Sequence, residues 1–204
     1  MAQIETYLTI NSSSSGLFKE KGSKFLAFAY PVSNEIEIKP ILDILKKEHF
    51  GAKHICYAYK LGSEKILYRT YDDREPSGTA GKPILGQINA FNLTNILIIV
   101  VRYFGGVLLG TGGLINAYRT ASADAISKAS VVNKFVCEHY TLLFNHINMN
   151  QVMKIIKDSQ VDYYEQHFDE NCQLKVKIKK NEKKTILAKL SVINNLQMEF
   201  LMVE

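Results

Sequence analysis

The stretch NILIIVVRYFGGVLLGTGG, residues Asn95–Gly113, decides the fold of the first half of the chain. Its apolar run Ile96–Val101 predicts a strand that is buried on both faces. The glycines that follow predict a loop, and Gly110–Gly113 lead into a helical pattern over Leu114–Ala129. A strand, a glycine-rich loop and a helix start in this order can surround a phosphate, because unpaired backbone N–H groups point toward it.

Three side chains stand where this strand meets the loop. Arg102 supplies a positive charge, and Tyr103 and Phe104 supply two ring faces, a combination that suits a nucleotide or an RNA base. The alternative is that the two rings belong to the core and that the glycines permit close backbone packing. The order GGxxxGxGG matches neither a dinucleotide fingerprint nor a P-loop.

A second glycine-rich segment, Asp72–Pro83, reads DDREPSGTAGKP and precedes a helical pattern over Pro83–Phe91. Backbone N–H groups at such a helix start, with Lys82 beside them, would form an anion site. The alternative, which the composition favours, is a turn that packs the helix against a sheet. The candidate anion- and nucleic-acid-binding residues of the two segments are Ser77, Gly78, Thr79, Gly81, Lys82, Arg102, Tyr103, Gly105, Gly106, Gly110, Gly112 and Gly113.

The carboxylates Asp72, Asp73 and Glu75 are the candidates for a divalent-cation site, although an exposed acidic turn is the commoner role of such a cluster. Upstream, His54 and Cys56 share one face of a predicted strand. A nucleophilic pair or half a zinc site would use such a spacing, but no second closely spaced pair of ligands follows. We therefore predict no metal site, no catalytic residue and no cofactor.

Composition indicates an ordinary globular chain of 204 residues, with 47% hydrophobic and 22% charged residues. The first residues carry no signal-peptide pattern, and no apolar run is long enough to span a bilayer. Three widely spaced cysteines are typical of reduced thiols, so we expect a cytoplasmic protein without a membrane partner. The net charge of +5 permits a polyanionic partner without requiring one.

The uneven distribution of glycine and proline along the sequence predicts a second domain. Eight of the 12 glycines lie between Gly78 and Gly113, and neither glycine nor proline occurs beyond that segment. From Val136 onward the apolar periodicity predicts strand, helix, strand, strand, helix and strand, which is the split βαββαβ order of ferredoxin-like domains. We expect an α+β protein with an N-terminal mixed α/β domain over residues 1–132 and a ferredoxin-like domain over residues 135–204.

One strand of this second domain carries Lys175, Lys177 and Lys179 alternating with apolar residues. Alternate residues share a face, so the three lysines would face solvent together. Such a face suits RNA, and it equally suits a solvated edge strand that resists aggregation, which is the commoner case.

Four blocks of the first domain resemble the IMPACT/YigZ family. They read KGSKFLA at residues 21–27, HICYAYK at 54–60, DDREPSGTAGKPIL at 72–85 and VVRYFGGVLLGTGGLINAY at 100–118. The resemblance covers about residues 1–130. The family usually has glycine where this chain has Arg74, and arginine where it has Asn116.

The resemblance implies a fold and a role. The family's first domain is similar to one shared by a small-subunit ribosomal protein, elongation factor G and the GHMP kinases, with a left-handed βαβ crossover. Its second domain resembles the last domain of elongation factor G. Eukaryotic relatives regulate translation by competing for an activator of the starvation-sensing initiation-factor kinase, whereas bacterial members have no settled activity.

We therefore expect a non-enzymatic, translation-linked regulator that contacts the ribosome, RNA or a ribosome-associated regulatory protein through the glycine-rich loops and the lysine strand. Two alternatives stay open at this point. One is a magnesium-dependent enzyme that acts on a nucleotide or a phosphorylated small molecule, by analogy with the GHMP kinases. The other is a protein-interaction module without a polyanion site.

Overall fold

The computed structural model describes residues 5–64, 66–169 and 171–203. The chain divides into two compact units. One unit comprises residues 7–134, and the other comprises the chain from Phe135 onward together with Glu5 and Thr6.

The first unit is built on a five-stranded antiparallel sheet. Its strands lie in the order β2-β3-β6-β4-β5, and β1 pairs separately with β7. The strands are β1 (Thr6–Ile10), β2 (Ser14–Glu20), β3 (Ser23–Pro31), β4 (His54–Leu61), β5 (Leu67–Tyr71), β6 (Ile96–Tyr103) and β7 (Val131–Phe135). The first residue of β1 and the last residue of β7 are counted in the other unit.

Helices cover both faces of this sheet. The helix α1 (Ile38–Glu48) packs on one face, while α2 (Gly81–Ala90) and α3 (Gly110–Ser127) pack on the other. All six residues from Ile96 to Val101 are fully buried, because alternate side chains of β6 enter the two cores in turn. The predicted strand with two buried faces is confirmed.

The second unit has the predicted order of strand, helix, strand, strand, helix and strand. Its sheet order is β11-β8-β10-β9, and all three pairings are antiparallel. Apolar residues of the central strands pack with those of the two helices in one core. The elements are β8 (Cys137–Phe144), α4 (Met149–Asp158), β9 (Asp162–Phe168), β10 (Cys172–Lys179), α5 (Lys183–Ser191) and β11 (Gln197–Val203).

The strand β2 begins inside the serine tract at residues 12–15. Its serines and Gly16 hide the alternation that marks a strand. A Cβ at Gly16 would lie 2.4 Å from the backbone nitrogen of Ala125, so this glycine lets β2 approach α3 closely.

Within the described residues, no helix combines the length and the apolar character that a membrane crossing needs.

Candidate functional site

The loop that precedes α2 wraps around the carboxylate of Asp72. The backbone N–H of Gly78 donates to Oδ2 at 2.9 Å, and those of Ala80 and Gly81 donate to Oδ1 at 3.1 and 2.8 Å. A positive φ of 77° at Gly78 turns its N–H toward this carboxylate. The donors that the sequence offered to an external anion are therefore bonded to a carboxylate of the chain itself.

The other predicted residues of this loop are spread around it. Ser77 and Lys82 are exposed, and the aliphatic part of Lys82 lies over Gly78. Thr79 is buried, and its hydroxyl donates to the carbonyl of Pro76 at 2.6 Å. Of the predicted binding residues in this loop, Ser77 and Lys82 are the ones with exposed side chains.

Arg102 is a buried counter-ion. Its side chain is 5% exposed, and Nη1 donates to Oε1 of Glu75 at 2.6 Å. The Tyr118 hydroxyl donates to the same oxygen at 2.9 Å, and Nε2 of His54 lies 3.8 Å from it. Because burial weakens screening, this arrangement commits Arg102 to Glu75 rather than to a phosphate at the surface.

The carboxylates Asp72, Asp73 and Glu75 point to three different partners. Asp72 accepts from the glycine loop, Glu75 pairs with Arg102, and Oδ2 of Asp73 accepts the N–H of Ile55 at 2.7 Å. The part of the chain that the structure describes holds no group of three His, Cys, Asp or Glu side chains able to bind a metal. The three predicted cation ligands therefore do not converge on one site.

His54 and Cys56 do not form a nucleophilic pair, although both are buried. Nδ1 of His54 lies 2.7 Å from the carbonyl oxygen of Asp73 and must carry the proton, because a carbonyl can only accept. The Cys56 thiol donates to the carbonyl of Asp72 at 3.0 Å. Burial raises the pKa of Cys56 well above its usual range, so this sulfur stays a thiol.

The glycines after β6 serve packing and turning. A Cβ at Gly105 would lie 2.0 Å from the carbonyl carbon of Gly22, and the N–H of Gly105 donates to Oγ of Ser23 at 3.1 Å. Gly106 and Gly110 have positive φ of 85° and 70°. The close-packing alternative therefore describes Gly105, while Gly112 and Gly113 lie in the first turn of α3.

A row of side chains crosses three strands of the sheet on the face of α1. Lys19 on β2 lies opposite Lys24 on β3, which lies opposite Tyr103 on β6. Directly opposed residues share a face, and these three line a hollow of about 530 Å³ together with Phe104. Both lysines are exposed, Tyr103 is half-buried, and Phe104 is 44% exposed.

Of the residues in this row, the sequence predicted Tyr103 as a binding residue and gave no prediction for Lys19 and Lys24. Each lysine lies two residues from a leucine, Lys19 after Leu17 and Lys24 before Leu26, so each shares a strand face with that leucine. Their proximity depends on the register between β2 and β3, which periodicity alone does not supply.

The lysine strand of the second unit, β10, is engaged with acidic side chains. Nζ of Lys175 lies 2.5 Å from Glu165, and Nζ of Lys179 lies 3.5 Å from Glu182 and 5.1 Å from the ring centre of Phe135. Lys177 lies opposite His139 on β8. Lys175 and Lys179 are thus paired with carboxylates of their own unit.

Comparison with known proteins identifies the relatives of the chain. A family model described as the Impact N-terminal domain matches residues 21–126, which is more than half of the chain. The chain is 29% identical over 179 residues to IMPACT family member YvyE of Bacillus subtilis, covering 88% of this chain and 82% of that protein. An IMPACT family member of Haemophilus influenzae is 31% identical over 156 residues, covering 76% of each.

A solved structure of a hypothetical protein is similar along nearly its whole length. It covers 98% of this chain and 99% of that chain at 26% identity, with a TM-score of 0.76. The sequence blocks around Asp72 and Arg102, which the fold brings together at one buried ion pair, lie inside the matched family domain. The chain belongs to the IMPACT family.

Proposed function

We propose that this chain is a non-enzymatic, translation-linked binding protein that contacts single-stranded RNA through the row of Lys19, Lys24 and Tyr103, extended by Phe104. The translation link is what the family resemblance of the sequence implies. The observation that carries the RNA contact is the row itself, which sets two exposed ammonium groups beside two partly exposed rings in one hollow.

The chemistry of this hollow suits an unpaired polynucleotide. Lysines neutralise phosphates, and aromatic rings stack on bases that are not held in a duplex. The hydroxyl of Tyr103 lies 2.9 Å from Nδ1 of His49, the C-cap residue of α1, so this contact orients the ring before any partner binds. A fixed ring loses little conformational entropy on binding.

The row replaces the predicted anion site as the proposed phosphate contact. Arg102 is buried and neutralised by Glu75, and the N–H groups before α2 are bonded to Asp72, so neither serves as a contact for an RNA phosphate at the surface. Lys19 and Lys24 have exposed side chains, and no carboxylate is among the residues that line the hollow.

Fluorescence anisotropy with a labelled short single-stranded RNA tests the proposal over a salt series. Because each phosphate contact contributes roughly 0.7 to the slope of log K against log salt, the Lys19→Ala/Lys24→Ala variant should lose about 1.4 from that slope. Phe104→Ala should weaken binding by about 1–3 kcal/mol while leaving the slope unchanged, because stacking releases no counterions.

A matched control removes the same net charge elsewhere. Lys154 and Lys157 are exposed on α4 of the second unit, and Lys154→Ala/Lys157→Ala should keep the wild-type slope. Equal losses in the two double variants would contradict the proposal, as would absence of RNA binding at low salt. Ribosome co-sedimentation with the same variants distinguishes an RNA partner from a protein partner. Co-sedimentation that does not depend on Lys19 and Lys24 would indicate a protein contact.

A further inference from the structure

A second cavity, of about 390 Å³, lies where β4 and β6 meet the loop that leads into α3. Its walls are largely apolar and include Phe104, Leu108, Leu109 and Leu114, while Arg102 and His54 supply polar groups. This volume falls in the range of sites that hold small molecules. The RNA contact proposed above does not use these walls, apart from Phe104.

Arg102 lines this cavity and has an unused donor. Its hydrogen bond to Glu75 uses Nη1, and within the described residues its buried Nε–H has no hydrogen-bond partner. The edge formed by Nε and Nη2 is the one that presents two parallel N–H groups to a carboxylate. A buried donor without a partner is costly, so this edge indicates a missing acceptor.

The remaining polar groups around the cavity also favour an anion. The 18-residue helix α3 begins at Gly110, which lines the cavity, and the side chain of its N-cap residue, Leu109, makes no capping hydrogen bond. Lys53 is exposed at the cavity, and Nδ1 of His54 holds the proton that bonds Asp73. Glu75 is the carboxylate among the lining residues, and Arg102 already neutralises it.

We propose that this cavity binds a small molecule made of an apolar body and a single carboxylate. The carboxylate accepts from the Nε–Nη2 edge of Arg102 near the start of α3, and the apolar body lies against Leu108, Leu109 and Leu114. A planar carboxylate matches the two parallel donors of the edge. Leu108 is 82% exposed, so a bound apolar body would remove its side chain from water.

Calorimetric titration of the whole chain with octanoate tests this site, and octanamide of the same length is the neutral control. Octanoate should bind in the millimolar range or tighter and raise the melting temperature, while octanamide should bind about tenfold more weakly. Equal affinity for the two compounds, or no heat with octanoate, would overturn the proposal.

A pair of neighbouring substitutions locates the binding. Leu108 lines the cavity, whereas the adjacent Val107 is 51% exposed and lies outside its lining. Leu108→Asp should weaken octanoate binding about tenfold through charge repulsion and lost apolar contact, and Val107→Asp should leave it within about twofold. Binding that survives Leu108→Asp unchanged would rule this cavity out.

Arg102→Lys gives a second readout, because lysine keeps the positive charge for Glu75 and lacks the two parallel donors. A folded Arg102→Lys variant should lose octanoate affinity and keep RNA affinity, since the RNA contact rests on Lys19 and Lys24. A folded variant that keeps full octanoate affinity would contradict the assigned donor. The Leu108→Asp result stands by itself if this variant does not fold.

Discussion

Glu75 places one carboxylate oxygen within hydrogen-bonding distance of both Arg102 and Tyr118 inside a cavity wall. A charge at this depth is tolerated only because its partner is present, since the low-dielectric interior penalises an unpaired ion. Burial also raises the pKa of the Tyr118 hydroxyl, which keeps its proton and donates it to Glu75. The three side chains therefore act as one unit that fixes the Asp72–Pro76 turn against β6.

Removing the negative charge of Glu75 should be strongly destabilising. Glu75→Gln keeps the shape and leaves Arg102 as an uncompensated buried cation, so we expect a loss of about 3–5 kcal/mol in the free energy of unfolding. Urea unfolding followed by circular dichroism measures the loss. The control is Asp124→Asn in the pair of half-buried Asp124 and exposed Lys128, which should cost less than about 1 kcal/mol. Similar losses in the two variants would show that the buried pair contributes little.

At the scale of single elements, glycines with different surroundings make different contributions. Gly105 faces the backbone of Gly22 and Ser23 at distances that leave no room for a Cβ. Gly112 lies inside the first turn of α3, and a Cβ there would meet nothing within 4 Å. The two glycines come from one run of sequence, yet only the first is required by packing.

Alanine substitutions separate these two roles. Gly105→Ala should unfold or strongly destabilise the first unit, because a Cβ would lie 2.0 Å from the carbonyl carbon of Gly22, and backbone cannot move aside cheaply. Gly112→Ala should keep stability or raise it by up to about 1 kcal/mol, because alanine is the better helix former. Thermal unfolding measures both, and a Gly105→Ala variant as stable as wild type would refute the close contact.

Elements with a strong local pattern could be predicted, and contacts between elements could not. The strand β6 is indicated by an apolar run of adjacent residues, and the elements of the second unit are indicated by their local periodicity. The Glu75–Arg102 pair joins residues 27 positions apart, and it forms because β6 and the Asp72 turn meet in the folded chain. Likewise, the N–H groups before α2 are taken by a carboxylate up to nine residues upstream, which helix-start chemistry alone does not reveal.

At the scale of the whole molecule, the three cysteines allow the opening of each unit to be measured separately. Cys56 belongs to the unit of residues 7–134, and Cys137 and Cys172 belong to the other. All three are buried thiols that form no disulfide within the described residues. The reactivity of each thiol therefore depends on the opening of its own unit.

The cysteines of the native chain should react very slowly with a thiol reagent. We expect each cysteine to react on the order of 100-fold more slowly than free cysteine, and all three to react in full denaturant. Single-cysteine variants that retain only Cys56 or only Cys172, followed in increasing urea, should give the opening of each unit by absorbance. Rapid reaction of Cys56 in the native state would contradict its burial and the raised pKa of its thiol.

The position of β6 in the sheet has a consequence for the order of events during synthesis. The strands β2 and β3 pair with each other, as do β4 and β5, but β3 and β4 are both neighbours of β6 and not of each other. A nascent chain that ends before residue 96 can thus form two hairpins with no strand to join them. The sheet of the first unit closes only when Tyr103 has left the ribosomal exit tunnel, so more than half of the chain must be made before this unit can fold.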